Sequence, residues 1–178
     1  MLVHNGTKTI ETERLILRRF EYTDDTAMLK YWIADEKIQS LYSEPVYSTK
    51  EEVKELLDIY IGSYEKPDYY RWAIIEKDCG ECIGQIAFCR VYPDCKTAEI
   101  EYCIGKKFWG RGYAAEAAKA VIAYAFSVLN AESLFAGHNP KNKASERVLK
   151  KLGFSYVGDE FYAPTGLNHP SYTLEKNG

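Results

Sequence analysis

The run Lys106-Lys-Phe-Trp-Gly-Arg-Gly-Tyr-Ala114 joins a strand-like segment to the longest helical pattern in the chain, and its residue types describe an anion site. Gly110 and Gly112 let the backbone turn tightly and bring successive N–H groups to one bound group without interference from side chains. The helix N-terminus behind them adds partial positive charge, and Lys106, Lys107 and Arg111 supply full charges. A plain tight turn uses the same two glycines and stays open on these residues alone. Two phosphate loops are excluded. A nucleotide P-loop requires Gly-Lys-Ser or Gly-Lys-Thr, and the dinucleotide fingerprint is not completed, because Ala115 and Glu116 stand where its last glycine belongs.

A second group with chemistry is the carboxylate pair of Thr97-Ala-Glu-Ile-Glu-Tyr-Cys-Ile104. Strand alternation sends Glu99, Glu101 and Cys103 to one face and Ile100, Tyr102 and Ile104 to the other. Two carboxylates on one face raise one another's pKa, which suits a proton acceptor near neutrality; two solvated strand residues give the same pattern. Cys79-Gly-Glu-Cys82 has the spacing of half a zinc site or a redox dithiol. Neither His4, His138 nor His169 supplies a second ligand pair in sequence, and the motif lies in a turn instead of opening a helix. The reading is a hairpin turn with two incidental thiols and no metal. His138, at a strand end, is a candidate base or substrate contact, though such a histidine is more often incidental.

These residues need a frame. Arg14–Arg19 alternates as a first strand. A helix opens at Asp24 or Asp25 and runs to about Ala34, and another opens at Ser48 or Thr49 and reaches about Tyr64. Runs at 71–76, 82–92 and 97–104 read as strands, the first two flanking the Cys-Gly turn as a hairpin. Gly112–Leu129 is helical, Ser133–Gly137 a strand, and Asn142 caps a shorter helix that Gly153 ends. Segments 154–158 and 171–174 close the order β-α-α-β-β-β-α-β-α-β-β, a mixed α/β (α+β) sheet.

The chain has 178 residues, 46% hydrophobic and 28% charged, which fits one domain over 1–178 with one core and no need of a staple. A net charge of −3 argues against a dedicated nucleic-acid binder. The five cysteines are odd in number, and the N-terminal segment has neither an apolar run nor a cleavage site, so a cytoplasmic protein with reduced thiols is expected. No run approaches the length of a membrane span. The 15 tyrosines exceed what a core asks for and predict an aromatic-lined surface or cavity.

Three motifs occur in order along nearly the whole chain: Thr12-Glu-Arg-Leu-x-Leu-Arg18, Trp109-Gly-Arg-Gly-Tyr-Ala114, and Asn142-x-x-Ser145 running to Leu152-Gly-Phe154. Together they resemble the GNAT superfamily of acyl-CoA-dependent N-acetyltransferases, and within it the branch named for ribosomal-protein-alanine acetyltransferases. The resemblance implies a mixed, mostly antiparallel central sheet with helices on both faces. Its central strands splay to admit acetyl-CoA as cosubstrate. It further implies that Trp109, Gly110, Arg111, Gly112, Tyr113 and Ala114 hold the pyrophosphate, and that the strand ending at Cys103 and Ile104 pairs with the pantetheine arm. Asn142 and Ser145 would contact that arm near its sulfur. Trp109 stands where Gln or Arg is usual in the wider superfamily, though Trp is normal in this branch.

The implied reaction is direct attack of a primary amine on the thioester in a ternary complex. The amine, a protein N-terminus or a small molecule, must lose a proton. Glu99 matches the position of the basic glutamate of the histone acetyltransferase branch, and Glu101 is its rival. A backbone N–H at Cys103 or Ile104 would meet the oxyanion. Leu149 stands where many members place an acidic Tyr, so Ser145, one turn earlier, is the substitute near the leaving group. The rival of another class is a non-catalytic acyl-CoA sensor. The first two helices and the last hairpin would shape the acceptor side, and their Trp32, Tyr42, Tyr47, Tyr60, Tyr64, Tyr69, Tyr70, Phe161, Tyr162 and Tyr172 predict a Tyr-rich cleft. No membrane or nucleic-acid partner is expected; a monomer or a homodimer fits equally.

Overall fold

The computed structural model describes residues 1–42 and 44–176. Eight strands form one sheet in the order β1-β2-β3-β4-β5-β6-β8-β7. They are β1 (Ile10–Glu11), β2 (Leu15–Arg18), β3 (Tyr70–Glu76), β4 (Cys82–Tyr92), β5 (Thr97–Ile104), β6 (Ser133–Gly137), β7 (Ser155–Tyr162) and β8 (Leu167–Glu175). Every pairing is antiparallel except β5 with β6. The helices are α1 (Asp25–Met28, continued in wider turns over Leu29–Ile33), α2 (Glu36–Tyr42), α3 (Lys50–Ser63), α4 (Tyr113–Tyr124, continued to Leu129) and α5 (Lys143–Lys151). This is the mixed, mostly antiparallel sheet that the motifs imply.

Alternation along β3 shows how the two faces are covered. Tyr70 and Trp72 pack against Tyr124 of α4. Arg71, between them, turns to the other face and lies 4.6 Å from the ring centre of Tyr60 on α3. Glu101, opposite Ala87 and one strand further from Arg71, shares the α3 face; Tyr102 takes the α4 face.

The sheet opens in its middle. β5 and β6 pair in parallel only at Thr97–Ser133, Ala98–Leu134 and Glu99–Phe135. β5 then continues five residues without a neighbour on that side. The Gly105 N–H bonds the Ile83 carbonyl at 2.8 Å, on the β4 side. Antiparallel alternation therefore turns the peptide groups of Cys103 toward β4 and those of Tyr102 and Ile104 toward the opening. A Cβ at Gly84 would come within 2.2 Å of the Cys103 carbonyl, so only glycine permits this approach of β4 to β5.

Three local outcomes differ from the sequence expectations. Helix α2 has no counterpart among them; Asp35 caps it by accepting the N–H groups of Lys37 and Ile38. The closing strands extend to Tyr162 and back to Leu167 as a long hairpin, whose polar residues on both sides hide its period. The Asp24 carboxylate does not cap α1 with its side chain. It is held by both Nη atoms of Arg18 at 2.8 Å.

Candidate functional site

Two cavities flank the opening in the sheet. One, of about 320 Å³, lies among β5, the glycine loop, the start of α4 and α5. The other, of about 440 Å³, lies toward α2, β4, β6 and the β7–β8 hairpin. They share Leu41, Tyr42, Tyr102, Asn142 and Ser145 as walls. The splayed strands thus form a passage between two chambers.

The first chamber is built by the loop. Gly110 and Gly112 adopt φ of +75° and +82°, a left-handed backbone that glycine enters without cost. Gly112 is the N-cap of α4, and its carbonyl takes the first helical bond, from Glu116. The N–H groups of the first turn have no partner within the helix and bear its positive end. Gly110, Gly112, Tyr113, Ala114 and Ala115 all line the cavity. The donor set suits a pyrophosphate.

Trp109 is half exposed and donates its indole Nε1–H to the Ile104 carbonyl at 2.6 Å, occupying the acceptor at the end of the open edge. The Tyr113 hydroxyl donates to Glu76 at 3.0 Å. Arg111 is exposed, with its guanidinium 5.6 Å from the Phe108 ring centre. Its charge is near the loop, but its side chain is not part of the wall.

Asn142 caps α5 by accepting the Ser145 N–H at 3.1 Å, so its amide oxygen is occupied. Ser145 has a partner that the sequence did not disclose. Tyr102, 8% exposed, brings its hydroxyl to 3.1 Å from Ser145 Oγ. Burial pushes the phenol up to about 12, and Ser145 draws it partly back. Strand alternation had grouped Tyr102 with core residues Ile100 and Ile104. The contact joins positions 43 apart, and no local pattern encodes it.

The second chamber holds Glu99 and Glu101, which the structure brings to one face and into different surroundings. Glu99 is 18% exposed in its side chain, accepts from Tyr92 at 3.2 Å and pairs with Arg90 at 3.5 Å. Burial raises its pKa, Arg90 and Tyr92 oppose the rise, and the charge of Glu101 adds to it. Glu101 is bound by Arg71 Nη2 at 2.9 Å. Mutual repulsion is therefore the smaller cause of the Glu99 shift. His138, 5% exposed, lines this chamber too, with Nδ1 2.8 Å from the Asn139 carbonyl and Nε2 without a partner among the described residues.

Tyr42, Tyr92, Tyr102 and Tyr162 line the second chamber, so the expected Tyr-rich cleft forms in part. Of the ten aromatic residues assigned to it, Tyr42, Phe161 and Tyr162 line the chamber, whereas Trp32, Tyr64, Tyr70 and Tyr172 are buried in the core. Two of these phenols find partners: Tyr70 lies 3.1 Å from His4 Nδ1, and Tyr64 donates to the Arg71 carbonyl at 2.8 Å and accepts the Phe20 N–H at 2.9 Å. The cysteines are free. Burial raises the thiol pKa of both Cys79 and Cys82, the opposite of an activated redox thiol.

Comparison with known proteins agrees with this architecture. The model of the acetyltransferase (GNAT) domain matches residues 14–155. The chain is 32% identical over 149 residues to the uncharacterized N-acetyltransferase YoaA of Bacillus subtilis, covering 84% of each. It is 29% identical to spermidine N(1)-acetyltransferase of Escherichia coli, over 87% of this chain and 76% of that one. A GNAT-family acetyltransferase from Bacillus anthracis superposes with a TM-score of 0.82 at 26% identity, covering 94% and 98% of the two chains. A ribosomal-protein-S5-alanine acetyltransferase from Vibrio fischeri shares the fold at a TM-score of 0.79 and 18% identity, over 94% and 96%. No helix among the described residues is long and apolar enough to cross a membrane. The chain belongs to the GNAT family and is an N-acetyltransferase.

Proposed function

We propose that this chain, acting as a single domain in the cytoplasm, transfers the acetyl group of acetyl-CoA to a primary amine that carries, or lies beside, further positive charge. The observation that carries the reading is the pair of chambers meeting at Tyr102 and Ser145. The family draws on acetyl-CoA, and the loop chamber has the donor set that its pyrophosphate requires. The pantetheine arm would run along the open edge of β5, where the Ile104 N–H and the Tyr102 peptide groups face the gap. The acceptor enters from the other face.

Glu99 takes the amine proton, directly or through one water. Burial gives it the raised pKa that this task needs, whereas Glu101 is committed to Arg71 and holds that cation. The Ile104 N–H, rather than that of Cys103, stabilises the developing oxyanion, because it points into the gap. Ser145, backed by the Tyr102 hydroxyl, donates to the leaving sulfur. This supplies from β5 the phenol that Leu149 does not.

The acceptor chamber sets Glu44, Glu99, Glu101 and Glu160 against Arg71 and Arg90. That excess favours a cation. A small polyamine, such as the spermidine named for one relative, and a basic peptide N-terminus both meet the requirement. Incubation with acetyl-CoA and a panel of such amines, with release of free thiol as readout, tests the proposal. Thiol release with a polyamine or a basic peptide supports it. Binding of CoA without thiol release across the panel identifies an acyl-CoA sensor instead.

A further inference from the structure

We propose that Arg14, which lies outside the cavity wall, is a positioning residue that sets the direction of the phosphate-binding amides; this rests on acetyl-CoA occupying the loop chamber. Arg14 is anchored first. Its Nε and Nη2 reach Glu116 Oε2 at 2.7 and 2.6 Å, and its backbone N–H reaches Oε1 at 2.9 Å. The Thr12 hydroxyl donates to Oε1 as well, at 2.6 Å. The guanidinium carbon lies 4.5 Å from the Tyr113 ring centre. A planar fork bonded along its edge and packed over a ring is restricted in direction, although the side chain is 42% exposed.

The remaining arm does the work. Arg14 Nη1 donates to the Arg111 carbonyl at 3.0 Å. The Arg111–Gly112 peptide is trans, as is every peptide bond among the described residues. In a planar trans peptide, C=O and N–H point in opposite directions. Fixing the Arg111 carbonyl on Arg14 therefore aims the Gly112 N–H away from it, toward the cavity that Gly112 lines. Gly112, at positive φ, would otherwise let this peptide flip, since glycine tolerates either orientation. The Thr12-Glu-Arg14 motif near the start of the chain thus acts on a loop almost a hundred residues later.

Arg14→Lys separates this role from general support. Lysine keeps the charge facing Glu116, but its single ammonium group does not span Glu116 and the Arg111 carbonyl together. Calorimetry with CoA and an NMR titration with S-acetylpantetheine, which lacks the pyrophosphate, give the two dissociation constants. The variant is expected to weaken CoA about tenfold relative to S-acetylpantetheine, the loss of one well-aimed hydrogen bond to a charged group. Arg14→Gln, read in the same way, serves if the lysine variant unfolds. A ratio of the two constants within twofold of wild type overturns the proposal, as does equal weakening of both ligands, which marks a merely structural residue. Failure of the wild-type protein to bind CoA would instead remove the functional reading on which the inference stands.

Discussion

The Tyr102 hydroxyl on β5 lies 3.1 Å from Ser145 Oγ in the first turn of α5, at the point where the two chambers join. A phenol held neutral by burial is a hydrogen-bond donor that serine alone lacks the acidity to replace. Tyr102→Phe is expected to lower kcat about 10- to 100-fold with little effect on the Kd for CoA. Ser145→Ala should lower kcat similarly. Because the two act as one unit, the double variant should lose far less than the product of the single losses, a non-additivity that steady-state kinetics measures directly.

As the proposed base, Glu99 must be ionised to accept a proton, so the rate should rise with pH through its pKa. Burial places that limb above the ordinary carboxylate range. Arg90 opposes the shift, so Arg90→Ala should move the acid limb of kcat/KM to higher pH. Glu101→Gln, by removing a like charge, should move it lower. Glu99→Gln is expected to cost about 100-fold and to abolish the limb; a retained limb would assign the base elsewhere.

Burial raises the Glu116 carboxyl, yet its bonds to Thr12 and Arg14 outweigh that and leave its pKa lowered in the fold. A depressed folded-state pKa stabilises above the unfolded value and is lost as pH falls through the folded one. Glu116→Gln is therefore expected to cost about 1–3 kcal/mol at neutral pH. Denaturation followed as pH falls below the ordinary carboxylate range should show the difference between the two proteins shrinking, as the wild-type carboxyl becomes protonated.

Gly112 holds φ of +82° with ordinary clearance: a Cβ there would lie 3.6 Å from Arg14 Nη2. The cost of Gly112→Ala is then backbone strain, about 1–2 kcal/mol. If the loop relaxes to escape it, the amides leave their aim, and the KM for acetyl-CoA rises several-fold while Tm partly recovers. Gly62→Ala, at a helical site with open space around its Cβ, is the control and should leave KM alone.

Local signals carried much of this fold. Thr49 and Glu52 form the reciprocal cap at the start of α3, and Asn142 caps α5, both readable from residue type and spacing. Gly153, at φ +87°, ends α5 as a glycine C-cap does. The loop glycines and the shared face of Glu99 and Glu101 were readable for the same reason. What escaped depends on distance in sequence. Tyr102 looked like core because alternation reports a face and not what waits beyond it. The tyrosine excess pointed to a cleft because composition does not reveal which phenols find backbone partners inside. Arg14 announced itself only as part of a motif; its meaning lies in a carbonyl 97 positions away.

Only three residue pairs zip β5 to β6, a short seam between two leaves of the sheet, β1–β5 and β6–β8. In the proposed complex a donor arm along the open edge would act as a splint across them. It would tie the leaves at a second line and cover peptide groups that otherwise present a strand edge to any passing chain. Ligation should therefore slow amide hydrogen exchange on both sides of the seam, in β8 as well as β5, and reduce self-association on heating. The slot proposed to admit the substrate is thus also a short seam of the sheet, and occupancy is expected to brace it.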